Sequence, residues 1–101
     1  MNFLSTLGLC RKSGRLIHGF DTVCDELKKP GNKIAGVILA KDVSEKTGKE
    51  MRFFCEKYKV KLIVCDSTMD EIKGVLGKRT GVLAVLDEGL FGSLSGERKR
   101  K

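Results

Sequence analysis

Apolar residues recur along this chain at helical spacing in some stretches and form short continuous runs in others. Leu4, Leu7 and Cys10 fall on one side of a helix that the spacing predicts over residues 2–12, and Gly14 follows its end. Because these residues share one face, we expect that face to pack on a core, with Cys10 directed toward it.

A second helix is predicted to begin at Gly19, after a short extended link over residues 15–17. Its apolar positions also lie on one face: Phe20, Val23, Cys24 and Leu27. Proline and glycine in residues 30–32 end it, because neither residue continues a helix well.

Three apolar runs have the length and continuity of strands that are covered on both faces. They occupy residues 33–40, 60–65 and 82–86. Buried strands of this kind are typical of sheets with helices packed on both sides. We therefore predict that these runs form the centre of the molecule.

Helices are predicted between the strands and after the last one. Ser44 can cap a third helix, and Thr68 followed three residues later by Glu71 has the capping-box spacing for a fourth. A last short helix is predicted around residues 90–94. Because helices and strands alternate, the predicted fold class is α/β: a single-domain three-layer α/β/α sandwich with a small, largely parallel mixed sheet.

Composition and charge narrow the class of partner. The 101 residues predict one domain, residues 1–96, followed by a basic flexible tail, residues 97–101. Lys and Arg number 20 against 13 Asp and Glu, a formal charge of +7, which favours polyanionic partners, nucleic acid first. No apolar run approaches the roughly 18 residues of a membrane span, and no basic leader is present. A soluble, cytoplasmic protein without a membrane partner is expected.

The cysteines and the one histidine do not form a recognisable reactive or metal site. Cys10, Cys24, Cys55 and Cys65 lie far apart without a Cys-x-x-Cys pair, so free thiols are predicted, and a metal is not. His18 and Cys24 could pair as base and nucleophile, but no third residue orients them, and a core thiol is the preferred interpretation. Nucleotide-binding motifs are absent as well. The chain is predicted to be neither an enzyme nor a binder of a cofactor or small-molecule substrate.

Three loops are predicted to meet where the strands end and helices begin, the usual ligand site of α/β sheets. They are residues 17–21, 40–44 and 77–81. The first ends in a glycine at a helix start, which suits phosphate binding, and the third carries Lys78 and Arg79 between two glycines. A phosphate-binding rim is one interpretation. The other is that the glycines serve turn geometry and the cations are solvated.

The chain resembles the kink-turn-binding ribosomal protein family of the L-seven-Ae and L-thirty-e type, and most closely its small bacterial YlxQ-like members. The resemblance extends from Phe3 to Leu94. The motifs that carry it occur in order over residues 7–16, 19–23, 39–44, 58–60, 76–79 and 87–89. It implies an α/β/α sandwich in which the start of the second helix and the neighbouring loops grip a sharply kinked RNA with sheared G·A pairs.

In such relatives the motif that starts at the glycine places Asn two residues on, Glu three on and Lys six on, all directed at guanine edges. Here those places hold Asp21, Thr22 and Asp25. Asp21 can accept from a guanine N–H but cannot donate, and Asp25 carries the opposite charge to the lysine. Lys28 lies one turn further and can compensate in part.

We therefore predict a non-enzymatic RNA-binding protein that recognises structured, kink-turn-like RNA, is ribosome-associated, and has ribosomal RNA as its partner. The alternative is a protein-interaction or regulatory module on the same fold that has lost sequence-specific RNA readout. The predicted RNA-binding residues are Gly19, Phe20, Asp21, Thr22, Lys28, Lys41, Lys78, Arg79 and Thr80.

Overall fold

The computed structural model describes residues 3–95, which form helices and strands in alternation. The elements are α1 (Phe3–Lys12), β1 (Leu16–His18), α2 (Phe20–Lys28), β2 (Gly36–Leu39), α3 (Glu45–Lys57), β3 (Lys61–Val64), α4 (Met69–Leu76), β4 (Val82–Val85) and α5 (Glu88–Ser95). The predicted α/β class is confirmed. The predicted tail, residues 97–101, lies outside the described residues, and so does residue 96.

The four described strands form one mixed sheet in the order β1-β4-β2-β3. β2 and β3 are parallel, whereas β4 runs antiparallel to both of its neighbours, β1 and β2. The expectation of a largely parallel sheet is therefore wrong. A strand covered on both faces gives the same apolar run in either direction, so the sequence pattern does not distinguish the two orientations.

Two strands differ from their predicted roles. The segment predicted as an extended link contains β1, which pairs with β4 through Leu16 opposite Val85; three residues are too few to show a strand period. β3 is not buried, because it forms an edge of the sheet. Its residues Lys61 and Val64 are exposed.

Helices cover both faces of the sheet, as the three-layer prediction requires. α1, α4 and α5 pack on one face around Leu7, Ile38, Ile72 and Leu83. α2 and α3 pack on the other face around a second set of buried residues: Val23, Leu27, Val37, Met51 and Ala84. Each layer therefore buries a continuous apolar cluster, which supplies most of the driving force for folding.

All four cysteines are buried free thiols, as predicted. Cys10 is on the buried face of α1, and Cys24 of α2 and Cys55 of α3 belong to the core cluster on the other face of the sheet. Burial is the largest cause that raises the pKa of each of these thiols, and it raises the pKa of Cys55 to about 11. A thiol with a raised pKa stays protonated, so it reacts slowly and is a poor metal ligand.

Both predicted helix caps are present. Ser44 Oγ accepts from the Thr47 N–H at 3.2 Å at the start of α3. At the start of α4, Thr68 Oγ1 accepts from the Glu71 N–H at 3.2 Å, and Glu71 Oε1 accepts from the Thr68 N–H at 2.8 Å. These bonds satisfy amides that have no acceptor within their own helix. Among the described residues no helix has the length and hydropathy to span a bilayer.

Candidate nucleic-acid interface

The three loops that were predicted to form a rim do meet at one end of the sheet, where β1 and β2 finish and β4 begins. The Gly19 N–H donates to the Val82 carbonyl at 2.9 Å, which joins the β1–α2 turn to the start of β4. The Ala40 N–H donates to the Gly81 carbonyl at 2.9 Å and joins the end of β2 to the same strand. Backbone hydrogen bonds therefore fix all three loops relative to the sheet.

The loops enclose an open cleft of about 320 Å³. It is lined by residues from α2, from the β2–α3 loop, from α3, from α4 and from the α4–β4 loop: Phe20, Val43, Ser44, Thr47, Met69, Arg79, Thr80, Gly81 and Val82. The loops can approach this closely because Gly81 has no side chain. A Cβ there would lie 2.8 Å from Val43 Cγ2 and 3.1 Å from Met69 Sδ.

The start of α2 lies beside this cleft and has no side-chain cap. Its N-cap residue is Gly19, at φ 98° and ψ 137°, a conformation that other residues rarely adopt. No side chain accepts from the first turn at this cap. The first amides of a helix carry partial positive charge, so an uncapped start can donate to a phosphate or another acceptor. Asp21 and Thr22 are exposed on this turn.

Two side-chain contacts that the sequence did not predict tie the start of α4 to the neighbouring loops. Asp42 Oδ1 accepts from the Met69 N–H at 2.8 Å, across 27 positions of sequence. The Arg79 Nε donates to Asp70 Oδ1 at 2.9 Å in an exposed ion pair. No local signal could reveal the first contact, because its partners are distant in the chain. Arg79 keeps further N–H donors, since a guanidinium has five.

The other predicted residues of the α4–β4 loop have distinct roles in the structure. Lys78 is exposed. Thr80 is buried, and its hydroxyl both donates to the Val82 carbonyl at 3.1 Å and accepts from the Val82 N–H at 3.3 Å. The Thr80 side chain is thus occupied in holding the loop against β4.

Six of the nine predicted residues lie outside the lining of the cleft, and Lys28 and Lys41 contact other surfaces. Lys28 is in the last turn of α2, and its Nζ lies 5.9 Å from the ring centroid of Phe54. Lys41 lines a neighbouring groove on the far side of the β2–α3 loop. Of the nine predicted residues, the cleft itself is lined by Phe20, Arg79 and Thr80.

Comparison with known proteins identifies the family. A model of the ribosomal protein L7Ae/L30e/S12e/Gadd45 family matches residues 1–94. This chain belongs to that family. A solved structure described as a protein with unknown function from Bacillus halodurans C is similar at a TM-score of 0.81 and 26% identity, over 92% of each chain. No curated protein sequence matches.

Membership of this family indicates a general function. The family consists of non-enzymatic RNA-binding proteins, and its ribosomal members associate with the ribosome. The raised pKa of the Cys24 thiol agrees with a core role for this residue rather than a nucleophilic one.

Opposite charges lie on the two sides of the α2 start. The pKa of Cys24 is raised first by burial, is lowered by Lys28, and is raised further by the carboxylates of Asp21, Asp25 and Glu50. Each of these charged groups therefore lies near Cys24, where three carboxylates outnumber the one cation. The cations of the α4–β4 loop lie on the other side of the cleft, so a polyanion is attracted to one side and repelled at the other.

A larger cavity lies away from this site. It has a volume of about 550 Å³ and lies beside α5 and the amino end of β3, where Lys61, Glu88 and Phe91 are among its lining residues. One cation and one carboxylate line it, and none of the three loops reaches it. We assign the candidate interface to the smaller cleft, because converging loops, an uncapped helix start and adjacent cations are found there.

Proposed function

We propose that this protein binds structured, kink-turn-like RNA at the cleft and at the adjoining start of α2, as a ribosome-associated cytoplasmic protein whose partner is ribosomal RNA. One observation carries the proposal: backbone hydrogen bonds hold the uncapped start of α2 and the cationic α4–β4 loop on either side of one open cleft. This arrangement combines a donor-rich surface with positive charge, which suits an RNA backbone that bends sharply.

The chemistry of each residue determines the role that we propose for it in RNA binding. Gly19 allows the RNA to approach the first amides of α2, and Asp21 accepts from a guanine N–H. Lys78 and Arg79 contact phosphates and so position the RNA without reading its sequence. Phe20 forms the apolar wall of the cleft next to Gly19. The Thr80 side chain supports the loop and acts indirectly.

A second candidate function is supported by the carboxylates near α2. Asp25 is exposed and stands where relatives have a lysine, and Asp21 and Glu50 lie close by. Negative charge at this point opposes RNA and suits a protein partner. In this alternative the fold acts as an interaction or regulatory module.

Salt-dependent binding distinguishes the two functions. The protein is titrated into a fluorescent kinked RNA with tandem sheared G·A pairs, and into a plain duplex of equal length, from about 50 to about 200 mM salt. We expect nanomolar to micromolar affinity for the kinked RNA, with a steep fall as salt increases. No binding at the lowest salt would overturn the proposal in favour of the interaction module.

A double variant tests the residues. Lys78→Ala with Arg79→Ala is expected to weaken both RNAs by similar factors and to lower the salt slope by about 1 for each lost phosphate contact. The matched control is the distal pair, Lys33→Ala with Lys57→Ala, which removes the same charge from exposed positions at the opposite end of the sheet. A loss of the same size in the distal pair would show that only net charge matters.

A further inference from the structure

A second groove, of about 260 Å³, lies between α3 and the carboxyl ends of β2 and β3. Three cations line it: Lys41 from the β2–α3 loop, and Lys49 and Arg52 from α3. Glu45 is the one carboxylate in its lining. Lys49 and Arg52 are three residues apart, so they are neighbours on one face of the helix. Positive charge is therefore concentrated in this groove.

Among the described residues, no cation of the groove forms a close ion pair. The ion pairs among residues 3–95 are Lys29 with Glu26 and Arg79 with Asp70, and neither involves a groove residue. Glu45 lies four residues before Lys49 on α3 and offsets part of this positive charge. With three cations against one carboxylate the groove keeps a net positive charge, which complements that of an anion.

The groove adjoins the cleft. Val43 and Ser44 line both, so the β2–α3 loop forms a narrow ridge between them. Val64, whose surface is 48% exposed, also lines the groove and gives it an apolar floor beside the cations. A polyanion that leaves the cleft across Ser44 meets an apolar surface for its sugars and cations for its phosphates.

We infer that the groove binds the backbone of an RNA arm that extends beyond the cleft, so that the RNA covers both sides of the ridge. This inference rests on the proposed function and extends it. The cations of the groove suit contacts to phosphates, which position an RNA without reading its sequence, so the proposed contribution of the groove is to affinity for longer RNA and not to sequence choice.

The test uses two kinked RNAs, one limited to the kink and one with each arm extended by about five base pairs, roughly half a helical turn. The wild-type protein is expected to bind the extended RNA at least about three-fold more tightly than the short one, because phosphate contacts are added. The variant Lys49→Ala with Arg52→Ala is expected to bind the short RNA normally and to lose this increment. The distal pair is expected to keep it.

Several outcomes would overturn the inference. They are the absence of an increment in the wild-type protein, an equal loss of the increment in the distal pair, and an equal loss for short and extended RNA in the groove variant. Poly-glutamate that binds more tightly than the extended RNA, and is lost in the groove variant, would assign the groove to an acidic protein. Failure of the wild-type protein to bind the short RNA would instead refute the proposed function. Thermal unfolding checks that both variants remain folded.

Discussion

Three helix starts border the cleft, and two of them, those of α2 and α4, are built in opposite ways. α4 begins with a complete capping box between Thr68 and Glu71, and Asp42 from another loop accepts from its first amide. α2 begins at Gly19 with no side-chain cap. The same partial positive charge is thus satisfied by the chain in one helix and left for a ligand in the other.

The difference shows how a small protein separates stability from binding. The capped start of α4 also anchors Arg79 through Asp70, so it holds the cationic loop in place. The uncapped start of α2 has glycine in place of a capping side chain, which costs about a few tenths of a kcal/mol, and it gains free donors for a ligand. Loss of the α4 cap should therefore affect folding and not binding, whereas changes at the start of α2 should affect binding, and a change at Gly19 should affect folding as well.

The largest expected effect follows from changing the backbone of the α2 start. Gly19→Ala places a Cβ at φ 98°, which costs about 1 to 3 kcal/mol of stability. We also expect weaker binding of kinked RNA, because the first turn of α2 must shift. Gly74→Ala in α4 is the control: no atom lies within 4 Å of its added Cβ and no positive φ is involved. It should raise stability by about 0.5 to 1 kcal/mol. Urea unfolding and RNA titration measure both, and unchanged stability in Gly19→Ala would contradict the account.

Removing the cap of α4 should have the complementary result. Thr68→Ala breaks the capping box and is expected to cost about 1 to 2 kcal/mol in the free energy of unfolding, with RNA affinity unchanged at a temperature where the protein is folded. Thr68→Ser keeps the hydroxyl and should restore most of the stability. A loss of RNA affinity in folded Thr68→Ala would mean that the start of α4 contacts the ligand as well.

Asp25→Lys should increase the affinity and the selectivity of the α2 start for kinked RNA. The lysine supplies the donor that relatives place six residues after the glycine, so the affinity for kinked RNA should rise several-fold, about 1 kcal/mol, at the lower end of the range for a good base contact. Asp25→Ala removes the negative charge without adding a donor. Equal gains for kinked RNA and plain duplex in Asp25→Lys would show that charge alone acts and that this position does not read guanine.

The smallest effect concerns the core beneath α2. Burial, with a further contribution from Cys24, raises the pKa of Cys55 to about 11, from the usual 9.0. The unfolded chain therefore loses this proton first as pH rises, so the stability contributed by Cys55 is complete below pH 9 and declines between pH 9 and about 11. The free energy of unfolding, measured with urea at pH 8 and at pH 10, should show a decline of about 1 kcal/mol from this group. Cys55→Ala should flatten the decline, and an identical slope would contradict this assignment.

Local chemistry made the two helix starts predictable. Thr68 and Glu71 at capping-box spacing predicted α4, and Gly19 predicted the turn into α2. The contact of Asp42 with Met69 was not predictable, because its partners are 27 positions apart. Fold class and core faces followed from apolar periodicity, which depends only on burial.

The direction of β4 relative to its neighbouring strands was the main feature of the fold that the apolar pattern could not predict. If β4 were parallel to β1 and β2, residues 77–81, which precede it, would lie at the opposite end of the sheet from the carboxyl ends of β1 and β2. Because β4 is antiparallel to both, this loop lies at the same end of the sheet as the carboxyl ends of β1 and β2, and Val82 pairs with Leu39. The meeting of the three loops therefore depends on a strand orientation that the apolar pattern leaves open.

The most direct test of the account is an amide chemical-shift titration of the protein with the short kinked RNA. The account predicts large shifts in residues 19–22 and 77–81, at the uncapped start of α2 and in the cationic loop. Amides in the first turn of α4, whose acceptors are supplied by the chain, should shift much less. Shifts confined to the cavity between α5 and β3, or larger shifts at the start of α4 than at the start of α2, would contradict it.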